Sequence, residues 1–377
     1  MRIEELDYNL PPELIATQPA VPRDSSRLLV YRRATEAIEH RHFRDLPELL
    51  DPTDLLVVND TRVLPAKLLL RKATGAAIPG LFLQELEPGG EGGRRWEVML
   101  RSRGKLAPGM VLATEPASEF HFRLLARGHE AGHWIVSVEP TLEAPKGEAV
   151  HLTSAYILER IGHVPLPPYI EKSRHGKGGT QDEQADREHY QTVYAQRSDQ
   201  GEGARSVAAP TAGLHFTPEL LERLQARGVR VAHVTLHVGL GTFLPVQTDT
   251  LEEHPMHTEA YAVPAATVAA LRAQRAAGGR IVVVGTTATR TLQAAASQIL
   301  GLDHPPTDIH GTTNLLISPG YRFLLTDALI TNFHLPRSTL LALVGALTGL
   351  ARLKIIYAEA ITVKYRFYSY GDAMIVL

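Results

Sequence analysis

The run Asp54-Leu55-Leu56-Val57-Val58-Asn59-Asp60-Thr61-Arg62 changes character halfway along. Leu55 to Val58 is continuously apolar, without the polar alternation of a half-exposed strand, and so predicts a strand buried inside a sheet. Asn59 to Arg62 then gather polar groups at the carboxyl end of that strand, the edge where open α/β sheets place ligands. Asn-Asp is also ordinary turn chemistry, so a plain turn is the competing reading.

The same strand-then-polar pattern recurs toward the carboxyl terminus. Val229 to Val238 predicts a strand with Val234, Leu236 and Val238 on one face and His233, Thr235 and His237 on the other. The turn Gly239-Leu240-Gly241-Thr242-Phe243 follows and brings backbone close to whatever lies beyond. After a helix over Val263 to Ala277, Arg280 to Val284 predicts another buried strand, and Gly285-Thr286-Thr287-Ala288-Thr289-Arg290 opens a helix. Glycine and hydroxyls at a helix start offer free N–H groups to a carboxylate or phosphate, although the glycines and lysine of a dinucleotide fingerprint or P-loop are absent. Ala328-Leu329-Ile330 leads into Thr331-Asn332-Phe333-His334, and Pro336 and Ser338 start a core helix over Thr339 to Thr348. A last helix near Leu353 to Lys364 precedes Tyr365 to Asp372 and a final strand, Met374 to Leu377. Tyr370 and its aromatic neighbours, beside Arg366 and Asp372, can stack on a heterocycle or simply fill the core.

Between these units, Ser206 to Pro218 carries Thr211, Gly213 and His215 in alternation with Ala212, Leu214 and Phe216. Read as extended chain, it places a hydroxyl, bare backbone and an imidazole on one side. Thr217 is then an N-cap and Pro218 the first residue of a helix that Gly228 ends. From Leu64 to Val150 the texture differs: six short β-rich segments, Lys67–Arg71, Leu81–Glu87, Trp96–Arg101, Met110–Ala113, Phe120–Ala126 and Trp134–Val138, predict a small barrel or sandwich. Two basic clusters, Arg101/Arg103/Lys105 and Lys172/Arg174/His175/Lys177, fall in loops, the second within a charged, aperiodic stretch from Glu171 to Arg187.

Length and composition bound the function. The 377 residues, 44% of them hydrophobic, suffice for two domains. With 39 Lys and Arg against 41 acids the net charge is −2, so any nucleic-acid contact must use a local basic patch. Cysteine is absent, which excludes disulfides and thiolate chemistry and leaves 17 histidines for imidazole work. No apolar signal region opens the chain, and the run Leu340 to Leu350 is too short to span a bilayer, so the expectation is a soluble cytoplasmic protein. His254, His257 and Glu259 invite a metal, but Pro255 and the lack of a helix argue against the zinc-helix arrangement.

NDTRVLPAKL (from Asn59), GHVPLPPYI (from Gly162), YQTVYA (from Tyr190), SVAAPTAGLHFT (from Ser206), VTLHVGLGTFLPV (from Val234), MHTEAY (from Met256), VGTTATRTL (from Val284), ITNFHLPRSTLL (from Ile330) and YSYGDAMIVL (from Tyr368) together resemble the S-adenosylmethionine:tRNA ribosyltransferase-isomerases of queuosine biosynthesis. The resemblance implies an α/β/α sandwich, residues 1–62 and 151–377, carrying an inserted small antiparallel β-barrel, residues 63–150. It implies transfer and isomerisation of the ribosyl part of S-adenosylmethionine onto 7-aminomethyl-7-deazaguanine at the tRNA wobble position, giving epoxyqueuosine, adenine and methionine. S-Adenosylmethionine is then a substrate, no metal or further cofactor is expected, and the partner is the anticodon arm of tRNA, with no membrane and no obligatory protein partner. One departure falls at Gly75-Ala76-Ala77-Ile78-Pro79-Gly80, where the family pattern of Gly-Gly-Lys-Ile-Glu-Val would put a lysine and a glutamate.

For this chemistry the expected acid/base groups are His215, His237, Asp60 and Asp372, with base and acid not individually assigned. The expected substrate-binding residues are Asn59, Arg62, Thr211, Gly213, Gly239, Gly241, Thr286, Thr287, Asn332, Phe333, His334 and Tyr370, with the Thr286-Thr287 helix start on the methionine carboxylate and Tyr370 or Phe333 stacked on a base. The barrel and the 171–187 loop are the candidates for gripping the tRNA. A methyltransferase and a noncatalytic RNA-binding module are the alternatives. The first lacks its glycine-rich loop near the amino terminus, and the second would keep its polar groups on a basic surface.

Overall fold

The computed structural model describes residues 1–86, 94–115, 119–141, 153–171, 183–196, 206–239, 246, 248–301 and 304–377. The expectations for Gly241 and for the basic cluster Lys172 to Lys177 lie outside them. The chain opens with β1 (Arg27–Arg32), β2 (Ala37–His42) and β3 (Leu55–Asn59). It then leaves this sheet for β4 (Lys67–Lys72), β5 (Ala77–Leu86), β6 (Arg94–Leu100), β7 (Val111–Thr114), β8 (Phe120–Arg127) and β9 (His133–Pro140). These six pair antiparallel in the order β4-β5-β6-β9-β8-β7, and β7 pairs back onto β4 to close a barrel with no free edge. Alternation supplies its interior: Leu68 and Leu70, Trp96, Val98 and Leu100, Phe120, Phe122 and Leu124 all point inward. All six strands predicted for this region are present. The helix Ser154–Ile161, N-capped by Thr153, packs Ile157, Leu158 and Ile161 into the same core, and Trp96 donates its indole N–H to Ser154 Oγ at 2.7 Å. A two-residue β10 (Gly162–His163) adds to β4. The barrel unit therefore takes in chain beyond residue 150.

The chain returns through the helices Glu183–His189 and Pro218–Ala226 to β11 (Arg230–Leu236), β12 (Glu259–Val263), β13 (Ile281–Val284), β14 (Ile309–Thr313), β15 (Ala328–Asn332) and β16 (Ala373–Val376). The large sheet has the order β14-β12-β11-β3-β13-β15-β16-β1-β2. β11, β3, β13 and β15 run parallel, so their carboxyl ends share one edge. β16 is antiparallel to β15 and parallel to β1, which brings the amino ends of β16 and β1 to the same edge. Both faces are covered, as the apolar runs predicted. Leu55 and Val57 face the helices Ala265–Ala276 and Gly285–Ala294, while Leu56 and Val58 face Leu220 and Leu224 of the Pro218–Ala226 helix. Leu329 and Met374 pack under the helices Thr339–Thr348 and Leu350–Thr362.

Two local expectations are corrected. Thr211–His215 is a 3-10 turn and not extended chain, because Pro210 at its head and five consecutive non-β-branched or small residues let the chain coil tightly before Thr217 caps the next helix. A helix, Glu183–His189, begins inside the stretch read as aperiodic loop and ends just beyond it, with acids in its first turn and Arg187 and His189 in its last. Among the described residues no single helix is long and apolar enough to cross a membrane, and the apolar pair Thr339–Thr348 and Leu350–Thr362 is bent by 110°.

Candidate active site

A cleft of about 470 Å³ opens where the parallel strands end. One wall is the start of the Gly285–Ala294 helix. Gly285 takes φ +85°, which lets β13 turn straight into the helix, and no side chain caps that helix, so its first-turn N–H groups are left for a ligand. Asn59 at the end of β3 donates to Thr287 Oγ1 at 3.1 Å, and Asn59 Oδ1 accepts from the backbone N–H groups of Thr61 and Leu236. Asn59 thus ties two strands to the helix start, and its role is to fix Thr287 on the wall. The opposite side comes from Thr331 to His334 at the end of β15, from Pro210–Ala212, from Pro167–Tyr169, from His254, Met256 and His257 ahead of β12, and from Glu259, its first residue.

Among the described residues, two buried side-chain atoms on this wall have no partner. Arg290 donates through Nε to the Leu315 carbonyl at 3.0 Å and through Nη1 to Glu259 Oε2, while Nη2 is unpartnered. Asn332 donates through Nδ2 to the Tyr368 carbonyl at 3.1 Å, which fixes the amide orientation, and its Oδ1 has no partner. The same Nδ2 lies 3.1 Å from His215 Nε2, which must therefore be the unprotonated nitrogen, so Nδ1–H donates to Ser26 Oγ at 2.8 Å. Burial, and then the positive charges of Arg366 and Arg23, push the His215 pKa down to about 3, consistent with that neutral tautomer.

His215 therefore stands one layer behind the cleft, stacked on Phe43 with ring centroids 4.9 Å apart and both nitrogens engaged. The other expected acid/base groups lie in that layer too. Asp60 accepts from Thr235 Oγ1 and Gln196 Nε2, both at 2.7 Å, and burial raises its pKa. Asp372 accepts from the backbone N–H groups of Arg27 and Arg366 and from the Arg366 guanidinium, so it staples the last turn to β1. His237 is half-buried with Nδ1 3.2 Å from Thr61 Oγ1, and its neighbour Val238 is the residue that lines the cleft.

Of the expected binding residues, Thr211, Thr286, Thr287, Asn332, Phe333 and His334 line the cleft. The Phe333 ring itself is fully buried against Tyr357, Tyr365 and Phe367, which leaves no face for a base. His334 Nε2 lies 2.7 Å from Thr331 Oγ1, and burial lowers its pKa to about 4. Gly213 serves packing: a Cβ there would sit 2.0 Å from the Tyr194 hydroxyl. Gly239 donates its N–H to Glu259 Oε1 at 3.4 Å, and Tyr370 is buried edge-on to Tyr190. Arg62 pairs with Glu159 and lines a second, open groove of about 670 Å³ with Arg23, Arg187 and His189. Arg23 spends its guanidinium on the carbonyls of Gln191 and Glu188. Sequence reasoning gave Arg290 no role, although Arg290 follows Thr286 by four residues and so shares its helix face. It considered His254, His257 and Glu259 only as metal ligands, and among the described residues no group of three or more His, Cys, Asp or Glu is placed to hold a metal. The departure at Gly75–Gly80 runs from the β4–β5 turn into the start of β5, where Ile78 is buried in the barrel, and does not line the cleft.

A family model described as queuosine biosynthesis protein matches residues 3–376. An S-adenosylmethionine:tRNA ribosyltransferase-isomerase from Acaryochloris marina is 46% identical over 377 residues, covering 100% of this chain and 93% of the relative. One from Symbiobacterium thermophilum is 45% identical over 380 residues and is covered completely, as is this chain. The crystal structure of the S-adenosylmethionine tRNA ribosyltransferase from Thermotoga maritima superposes with a TM-score of 0.52 at 36% identity, covering 99% of this chain and 100% of that one.

Proposed function

The chain belongs to the queuosine biosynthesis family of S-adenosylmethionine:tRNA ribosyltransferase-isomerases, and from that premise we propose how its cleft carries the reaction. The ribosyl part of S-adenosylmethionine is moved onto the aminomethyl nitrogen of 7-aminomethyl-7-deazaguanine at the wobble position and rearranged to the epoxycyclopentanediol of epoxyqueuosine, with release of adenine and methionine. The observation that carries the site assignment is the meeting, in one cleft of about 470 Å³, of an uncapped helix start, an arginine with a free donor and an asparagine with a free acceptor. That volume is in the range of small-molecule sites.

The sulfonium makes the adjacent 5′ hydrogens acidic, so the first demand is a base, the second a proton for departing adenine, and the third a neutral attacking amine. His254 on the cleft wall suits the base: burial, and then the neighbouring His257, lower its pKa and keep it neutral at pH 7. His257, exposed on the cleft lining, is the partner for the adenine proton. His215, Asp60 and Asp372 act through the groups they hold. The stacking role expected of Phe333 passes to Tyr169 and Tyr368, which line the cleft and meet edge to face with centroids 5.0 Å apart. The anticodon arm lies along the open groove that flanks the Thr217–Glu219 end of the segment whose Pro210–Ala212 end borders the cleft. The wobble nucleotide is splayed from its stack to reach the cleft.

The test incubates the protein with S-adenosylmethionine and tRNA bearing the deazaguanine precursor, then measures tRNA nucleosides and small products. Free adenine, methionine and the epoxyqueuosine nucleoside are expected. S-Adenosylhomocysteine in their place would make the protein a methyltransferase, and no product from folded protein that binds both substrates would overturn the reading.

A further inference from the structure

Arg290 is only 7% exposed and Asn332 2%, so each unpartnered atom, Nη2 of the one and Oδ1 of the other, is a buried polar group whose hydrogen bond is missing. Such groups are rare because leaving them unmade is costly, and a ligand is the economical explanation where both border one cavity. The charges narrow the ligand. Arg290 already faces Glu259, itself 5% exposed, so that pair is close to neutral, and what remains over is one donor on Arg290 and one acceptor on Asn332. A phosphate, with two negative charges, would meet the Glu259 carboxylate without compensation. A zwitterionic α-amino acid group matches the wall: its carboxylate accepts from a cationic N–H, its ammonium donates to a carbonyl, and its net charge is zero. The uncapped start of the Gly285–Ala294 helix, which carries Thr286 one turn ahead of Arg290, adds positive potential on the carboxylate side.

We propose that Arg290 Nη2 anchors the α-carboxylate of the amino-acid arm of the sulfonium donor, that Glu259 holds the guanidinium in register for it, and that Asn332 Oδ1 accepts from the α-ammonium. This rests on the proposed function and adds to it the residues that read the methionyl end. Glu259 also accepts from the Gly239 N–H, so the same carboxylate links the anchor to the start of the segment that follows β11.

The test compares S-adenosylmethionine with its decarboxylated analogue, which keeps the sulfonium and the amine and lacks only the carboxylate. A charge-assisted bond of this kind is worth about 10- to 150-fold. Wild-type kcat/KM is therefore expected to favour the intact donor by about that factor. Arg290→Ala alone would strand Glu259 as a buried unpaired charge, so the variant is the double Arg290→Gln/Glu259→Gln, with Arg290→Lys as a second that keeps the ion pair and removes the fork. In the double variant the preference should collapse to roughly threefold or less, and in Arg290→Lys it should fall to an intermediate value. A wild-type preference below about threefold, or a folded variant that keeps the full preference, overturns the proposal. The wild-type comparison does not depend on any variant folding. If wild type yields no adenine at all, the functional reading fails by itself, and calorimetric binding of the two donors to wild type still decides the anchor by the same ratio.

Discussion

The cleft wall and the polar layer behind it both gather buried polar side chains at one edge of the large sheet, and they differ in what their hydrogen-bonding atoms are doing. On the wall, Arg290 and Asn332 each keep one buried atom unpartnered. Behind it, His215 has both ring nitrogens engaged, and Asp60 and Asp372 have both carboxylate oxygens accepting. An engaged polar group shapes and holds. An unengaged one is ready for a ligand. The connection between them is direct, since His215 contacts Asn332 and Asn59 contacts Thr287, so the rear layer sets the rotamers of the wall.

Substitutions can break this division, and the largest effect is expected on the wall. Asn332→Ala should lower kcat/KM by about 100-fold, the equivalent of about 2.7 kcal/mol, in steady-state assays corrected for folded fraction. A loss below threefold there would remove Asn332 from the substrate contacts. Asp372→Asn comes next and should act on stability alone. Weakening a buried carboxylate that holds two backbone N–H groups costs about 2 kcal/mol in a denaturant melt, with kcat/KM of the folded protein unchanged. A tenfold activity loss without a stability loss would move Asp372 to the wall.

His215→Gln should cost about tenfold in kcat/KM, roughly 1.4 kcal/mol, because it acts only through Asn332. It also carries a pH signature. Burial holds the folded pKa of His215 near 3 and of His334 near 4, against an ordinary value of 6.5. The unfolded chain therefore binds the extra protons as pH falls below about 6.5, and the stability these neutral imidazoles contribute is complete above that pH and drains away toward pH 3 to 4. Each contributes about 1.4 kcal/mol per pH unit in that window, so melts between pH 6 and 4.5 should show a steep loss that His215→Gln roughly halves. An unchanged slope would mean that His215 is not the buried neutral group. The smallest effect is expected for Asp60→Asn, within about 0.5 kcal/mol in stability and threefold in kcat/KM, because the Gln196 amide can turn over to face the new one.

The fold was legible where the pattern is local. Leu55–Val58, Ile281–Val284 and Ala328–Ile330 read as buried strands because both of their faces are covered, and the barrel strands read from their alternation. The coiling of Thr211–His215 was not legible, because small and mixed residues there satisfy an extended and a 3-10 spacing equally well. The helix Glu183–His189 was missed since charge hid its short period.

The run Leu55–Arg62 shows both sides of this. Sequence by itself determined that its apolar half is a central strand and that polar groups cluster at the strand's carboxyl edge, because periodicity and burial are properties of neighbours along the chain. Only the tertiary structure decided that Asn59 and Asp60 brace the site while Arg290 and Asn332 face it. Whether a polar atom is engaged depends on partners far away in sequence: Glu259 is 31 residues from Arg290, and His215 is 117 from Asn332. No local pattern encodes such a pairing. The strand order and register that bring them together do.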